Sequence, residues 1–164
     1  MAYDFTLSDV IPATPKAIYD AWLDSRGHTA MTGSKAKQSA KLGAAVTAWG
    51  NYISGKNLAL TPGRRIVQSW RTTQFTDQHP DSTITVTLTP VKTGTRVTLK
   101  HANVPDGQTS YEKGGWQDHY FRPMKAYFAK LGAKPAAKKA AKKVKAKKAK
   151  AKKAKAKKTK TKRA

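Results

Sequence analysis

Residues 82–101 read STITVTLTPVKTGTRVTLKH, and this stretch decides the fold. Ile84, Val86 and Leu88 alternate with threonines. After Lys92-Thr93-Gly94-Thr95, the residues Val97, Leu99 and His101 alternate with Arg96, Thr98 and Lys100. A period of two on both sides of a glycine-containing turn predicts an antiparallel hairpin with one buried face. A buried face needs cover, and the chain supplies it downstream of Asn103-Val104-Pro105-Asp106-Gly107. From about Thr109 to Leu131, the residues Trp116, Tyr120, Met124, Tyr127, Phe128 and Leu131 recur at helical spacing, which predicts the longest helix, with its aromatic face on the sheet. Gly132 ends this helix, and Pro135 prevents its continuation.

Working back from the hairpin, Thr61-Pro62-Gly63-Arg64 suits a type II turn between two strands within 46–71. Small and polar residues dominate 25–45, which reads as loop with one or two short strands. Pro15 at the first helical position behind Thr14, with Ala17, Ile18, Ala21 and Trp22 on one face, predicts a short amphipathic helix over 15–24. Tyr3, Phe5 and Leu7 alternate with Asp4, Thr6 and Ser8 as a first strand. Strand, helix, antiparallel hairpins and a long C-terminal helix make an α+β fold, a curved antiparallel sheet wrapped around that helix.

The charge is unevenly placed. The 164 residues hold 33 Lys plus Arg and 9 Asp plus Glu. Residues 133–164 carry 17 of the bases and no acid, so 1–132 carry 16 bases and all 9 acids. We therefore divide the chain into a folded domain, 1–132, and a disordered Lys/Ala-rich polycationic tail, 133–164, which has too little apolar surface to offset chain entropy. With no cysteine, disulfide frameworks, cysteine metal sites and thiol nucleophiles are excluded. Met1 to Asp9 lack a basic n-region, and no apolar run reaches about 18 residues, so neither a signal peptide nor a membrane span is expected. The expected address is cytoplasmic, or the nucleoid if the source is bacterial.

The segments Tyr19-Asp20-Ala21-Trp22-Leu23, Thr32-Gly33, Asn51 to Leu58, Arg65-Ile66-Val67-Gln68-Ser69-Trp70-Arg71, Gly94-Thr95, His101 and Gly115-Trp116 occur in an order that resembles the activator of heat-shock-protein-90 ATPase homologue family. That family belongs to the START-like, or SRPBCC, helix-grip superfamily. The resemblance covers about residues 3–130 and implies the helix-grip fold. It also implies a scaffold shared by lipid binders, cyclases, hormone receptors and co-chaperone modules. Only the part like the family's C-terminal domain is expected in this chain.

Two groups of residues are candidates for function. Trp22, Trp49, Tyr52, Trp70, Val86, Leu99, His101, Trp116 and Tyr120 can line a cavity between sheet and long helix, where helix-grip proteins hold apolar ligands, or can simply fill the core. For His101, with no second ionisable partner on its strand, the expectation is a core histidine donating to a backbone carbonyl. Arg71 is expected to be solvated or ion-paired, and Arg64 and Arg65 to add charge at a turn. The second group is the tail: Lys138, Lys139, Lys142, Lys143, Lys145, Lys147, Lys148, Lys150, Lys152, Lys153, Lys155, Lys157, Lys158, Lys160, Lys162 and Arg163. Each base that replaces a counterion on a phosphate backbone gains counterion-release entropy. With about half of them engaged on duplex DNA, log affinity falls with log salt at a slope of about −7 to −8. The tail composition resembles that of linker histones and of some bacterial nucleoid-associated proteins. A solubilising role, or attraction to anionic membrane or ribosomal RNA, are the alternatives.

His28, His79, His101 and His119 show no metal-ligand spacing, and nucleotide and nucleophile-elbow motifs are absent. Asp118 and His119 are neighbours on a helix and diverge by about 100°. No metal, cofactor or catalytic residue is expected. The sequence thus points to a binding protein tethered to nucleic acid, DNA ahead of RNA, with a domain for a small apolar ligand or protein partner. A chaperone-docking module and an enzyme of the polyketide cyclase/dehydrase type on an apolar substrate are the alternatives.

Overall fold

The computed structural model describes residues 2–132. Its elements are β1 (Tyr3–Ile11), α1 (Pro15–Trp22), α2 (Ser25–Thr32), β2 (Ala45–Ala48), β3 (Ile53–Thr61), β4 (Arg65–Thr72), β5 (Ser82–Val91), β6 (Gly94–Val104) and α3 (Arg122–Gly132). The strands form one antiparallel sheet in the order β1-β6-β5-β4-β3-β2. The 82–101 hairpin is its centre: β5 and β6 pair in unbroken register from Thr83↔Ala102 to Val91↔Gly94. Inward residues Ile84, Val86, Val97 and Leu99 are almost wholly buried, while the threonines between them face the other side. The turn at 61–64 closes through Arg64 N–H to the Thr61 carbonyl at 2.9 Å, with Gly63 at φ 69°. Arg71 is ion-paired with Asp81 at 2.7 Å.

Two expectations are corrected. The stretch 25–45 opens with a helix, α2. Asp24 caps it by accepting from Gly27 N–H, Gly33 ends it in the left-handed region at φ 83°, and His28, Met31 and Thr32 are buried. With one apolar residue larger than alanine in SRGHTAMT, the helix buries a histidine in place of an aliphatic stripe, so periodicity is silent. The second correction concerns the covering helix, which is not regular from Thr109. The chain winds in wide π-type turns over Tyr111–Gly115 and Gln117–Phe121, broken at Lys113 and at Gly114, whose φ is 143°. Pro123 has no N–H for the carbonyl of His119 and its ring crowds that oxygen, which favours widening of the turn before α3. The apolar face survives the break: Trp116, Tyr120, Met124 and Phe128 are all buried against the sheet. Among the described residues no helix is long and apolar enough to cross a membrane.

Candidate ligand cleft

The helix breaks at Lys113 and Gly114, and across from this stretch the β2–β3 turn carries Trp49 and Tyr52. Between them lies a solvent-open cleft of about 650 Å³. One wall is Trp49, Tyr52, Ile53 and Trp70. The other is residues 110–111, 113–116 and 118–120. The buried rings of the walls pack on one another: Trp70 lies 5.5 Å from Trp116 and 5.0 Å from Tyr111, and Trp116 lies 4.9 Å from Tyr120.

Of the expected cavity residues, Trp49, Tyr52, Trp70, Trp116 and Tyr120 line this cleft, while Trp22, Val86, Leu99 and His101 do not. Val86 and Leu99 are inward core residues of the central hairpin, with no exposure. Trp22 packs behind Tyr120, at 5.0 Å. His101 sits behind Trp70 and Trp116, and its partner is not a backbone carbonyl. The Trp116 indole N–H donates to its Nδ1 at 3.1 Å, so Nε2 carries the proton and donates to Ser82 Oγ at 2.9 Å. That hydroxyl in turn donates to the Trp70 carbonyl. The tail residues from Lys138 to Arg163 lie outside the described residues. Sequence reading missed Tyr111, Lys113 and His119 as lining residues, because the break removes Tyr111 from the 3–4 spacing of the helix and turns its ring to the cleft.

The polar atoms behind the walls are already engaged. His28 donates from Nδ1 to the Trp22 carbonyl at 2.8 Å and accepts the Tyr120 hydroxyl proton at Nε2, also at 2.8 Å. Burial pushes the imidazole of His28 down to about 4, the hydrogen bond to Trp22 opposing it, and that of His101 down to about 3, with Asp4 opposing. Burial raises the phenols of Tyr120 and Tyr111, the latter to about 12. At neutral pH these groups are uncharged hydrogen-bond spacers. A further buried chain runs from Trp22 Nε1 to Gln68, from Gln68 to Asn57, and from Asn57 to the carbonyls of Ser39 and Lys41, which holds the polar 33–44 segment on the sheet. The ionisable groups at the cleft mouth are Lys113, His119 and Asp118, the last paired with Arg122 at 2.7 Å. Trp49 is held at φ 53° with its indole 5.0 Å from the His119 ring, and its N–H has no partner among the described residues. Such a surface stacks flat apolar molecules.

An antiparallel sheet that holds a C-terminal helix, with an aromatic cleft between them, defines a START-like, helix-grip protein. Residues 12–129 match the model of the Activator of Hsp90 ATPase homolog 1-like protein family, and the chain belongs to that family. Activator of 90 kDa heat shock protein ATPase homolog 1 of Homo sapiens is 25% identical over 123 residues, which are 75% of this chain and 36% of that protein. The chain thus spans about a third of the length of the curated relatives it matches. Among solved structures, an HSP90 activator from Plasmodium falciparum has the same fold with a TM-score of 0.70 at 23% identity, over 77% of this chain and 96% of its own. Protein CV1439 of Chromobacterium violaceum aligns with a TM-score of 0.61 at 25% identity, over 76% and 95%.

Proposed function

We propose that this chain is a non-catalytic binding protein whose domain takes a flat apolar ligand in the cleft while its tail holds it on nucleic acid, DNA in preference to RNA. What carries the reading is a contrast of surfaces. The cleft is walled by rings whose buried polar atoms, apart from the Trp49 indole N–H, are engaged within the fold, and residues 133–164 hold 17 bases with no acid. The first surface suits stacking, the second a phosphate backbone.

The tether is tested with random-sequence duplex DNA and a salt titration that compares the full chain with one ended at Gly132. The shortened chain keeps the whole buried core, Phe5 to Phe128, and the solved relatives above are little more than this domain. A slope of about −7 to −8 for the full chain, collapsing without the tail, is expected. Equal slopes would remove the tether. For the cleft, 8-anilinonaphthalene-1-sulfonate is expected to quench the tryptophan fluorescence. Trp49→Ala should weaken binding by roughly fivefold to tenfold because one stacking ring is gone, with the fold intact because Trp49 is only half-buried. No quenching at millimolar probe would sink the ligand reading.

The similarity to the human activator supports a second reading, a module that docks on heat shock protein 90. Docking of that kind survives removal of 133–164, whereas tight, steeply salt-dependent retention on DNA does not.

A further inference from the structure

The face of the sheet turned away from the cleft has its own pattern. Thr83, Thr85, Thr87 and Thr89 form a row of hydroxyls along β5. Register sets Lys100 between Thr6 and Thr85, Thr98 between Ser8 and Thr87, and Arg96 between Val10 and Thr89, while Arg65 of β4 lies beyond Thr87. Arg65, Arg96 and Lys100 are exposed. Arg64 and Lys92, in the two turns at the same end of the sheet, extend the group.

The carboxylates lie elsewhere. Asp9 turns inward to Lys125 at 2.7 Å. Asp81 sits at the opposite end of the strands, as do the loops carrying Asp77 and Asp106; Asp4, two residues from the Thr6 that pairs with Lys100, is held by the Asn103 N–H at 2.9 Å, Asp24 caps α2 and Glu112 lies beyond β6. Asp20 and Asp118 pair with Lys16 and Arg122. Among the described residues no carboxylate comes within ion-pair distance of Arg65, Arg96 or Lys100. Arg96 and Lys100, four residues apart on one strand, stand about 13 Å from each other, and Arg65, two strands away, about 10 Å from that line. The area between is filled with hydroxyls. Arginine, lysine and threonine side chains are the groups that contact phosphate and sugar, and such contacts position without reading sequence. A membrane-binding surface would present apolar side chains to bury. Between β6 and β4 this one presents threonine.

We infer that the outer face of the β4-β5-β6 sheet is a second nucleic-acid surface, which seats the folded domain on the phosphodiester backbone. The choice of partner rests on the reading of the tail as a nucleic-acid tether; the surface itself does not.

The test uses the full chain and a 30-base-pair random duplex. Replacing Arg65→Gln, Arg96→Gln and Lys100→Gln together, tail intact, is expected to make the slope of log affinity on log salt shallower by about 2 to 3, close to one unit for each phosphate no longer engaged. A control with the same loss of charge at the other edge of the molecule, Arg26→Gln, Lys35→Gln and Lys37→Gln, is expected to keep the native slope. A third protein, with the bases from Lys138 to Arg163 changed to glutamine, should retain weak binding with a slope of about −3, which disappears when the face is changed as well. An unchanged slope in the face variant, or an equal change in the control, overturns the inference and leaves the tether standing. If neutralising the tail changes nothing while the face variant loses binding, the tether falls and the face stands. A face variant that loses only its binding to phosphatidylserine vesicles overturns nucleic acid as the occupant.

Discussion

Acidification from pH 6.5 to 4 is expected to withdraw roughly 5 kcal/mol of stability, because two histidines are held neutral inside the fold. His28 and His101 titrate near their ordinary 6.5 in the unfolded chain, but are pushed down to about 4 and about 3 in the folded one. Between those limits the unfolded state binds the more protons, so stability falls as pH falls. Each histidine contributes about 1.4 kcal/mol per pH unit below 6.5, until its folded value is passed. The loss is comparable with the whole stability of an ordinary domain. The exposed ion pairs, Lys16–Asp20 and Arg122–Asp118, add little to it. Urea unfolding at a series of pH values should give a slope of roughly 2 to 3 kcal/mol per unit between pH 6 and 4.5. His101→Gln keeps an acceptor for Trp116 and a donor for Ser82 without the proton site, and should halve that slope. A native slope below about 1 would mean that both imidazoles reach their protons within the fold, and no change in the variant would mean that His101 does.

Gly55→Ala is expected to cost more than about 3 kcal/mol and to prevent a cooperative fold at 37 °C. Gly55 lies in β3 against Ser69 of β4, where the two strands approach closely. A Cβ there would stand 1.8 Å from the Ser69 carbonyl oxygen, a backbone atom that no rotamer change can move. Relief requires the two strands to part by more than an ångström, and the Lys56 N–H to Ser69 Oγ bond, 2.9 Å, goes with them. The disturbance reaches the cleft directly, because the next residue of β4, Trp70, forms its wall. Chemical denaturation is the measurement. A variant within 1 kcal/mol of the native chain would show that β3 and β4 separate freely at this point.

The central hairpin and the aromatic helix face were legible because each element buries one face with a strict period: Ile84, Val86 and Leu88 at two, Trp116, Tyr120, Met124 and Phe128 at four. Where burial is polar, pattern fails. The segment 24–44 is fixed by Asp24 at a helix start, by His28 between Trp22 and Tyr120, and by Asn57 reaching Ser39 and Lys41, all partners distant in sequence or invisible to hydropathy. The cleft was half legible for the same reason. Its tryptophans stood out by type, but which rings face space and which face neighbours depends on one left-handed Gly114 and on the positive φ of Trp49. His101 shows the limit of strand-by-strand reading. Its inward direction was plain, but its bonding partner came from a helix fifteen residues on.

The hydrogen-bonded line from the Trp116 indole through His101 and Ser82 to the Trp70 carbonyl starts on one wall of the cleft and ends on the backbone of the other. It works as a crossbar behind the opening. The Trp116 ring cannot yield to a thick guest, nor the backbone at Trp70 shift, without leaving a buried donor or acceptor bare, so the opening behaves as a fixed gauge. Molecules of one ring's thickness slip in with little reorganisation, whereas bulkier shapes are turned away by geometry before any difference in polarity is felt.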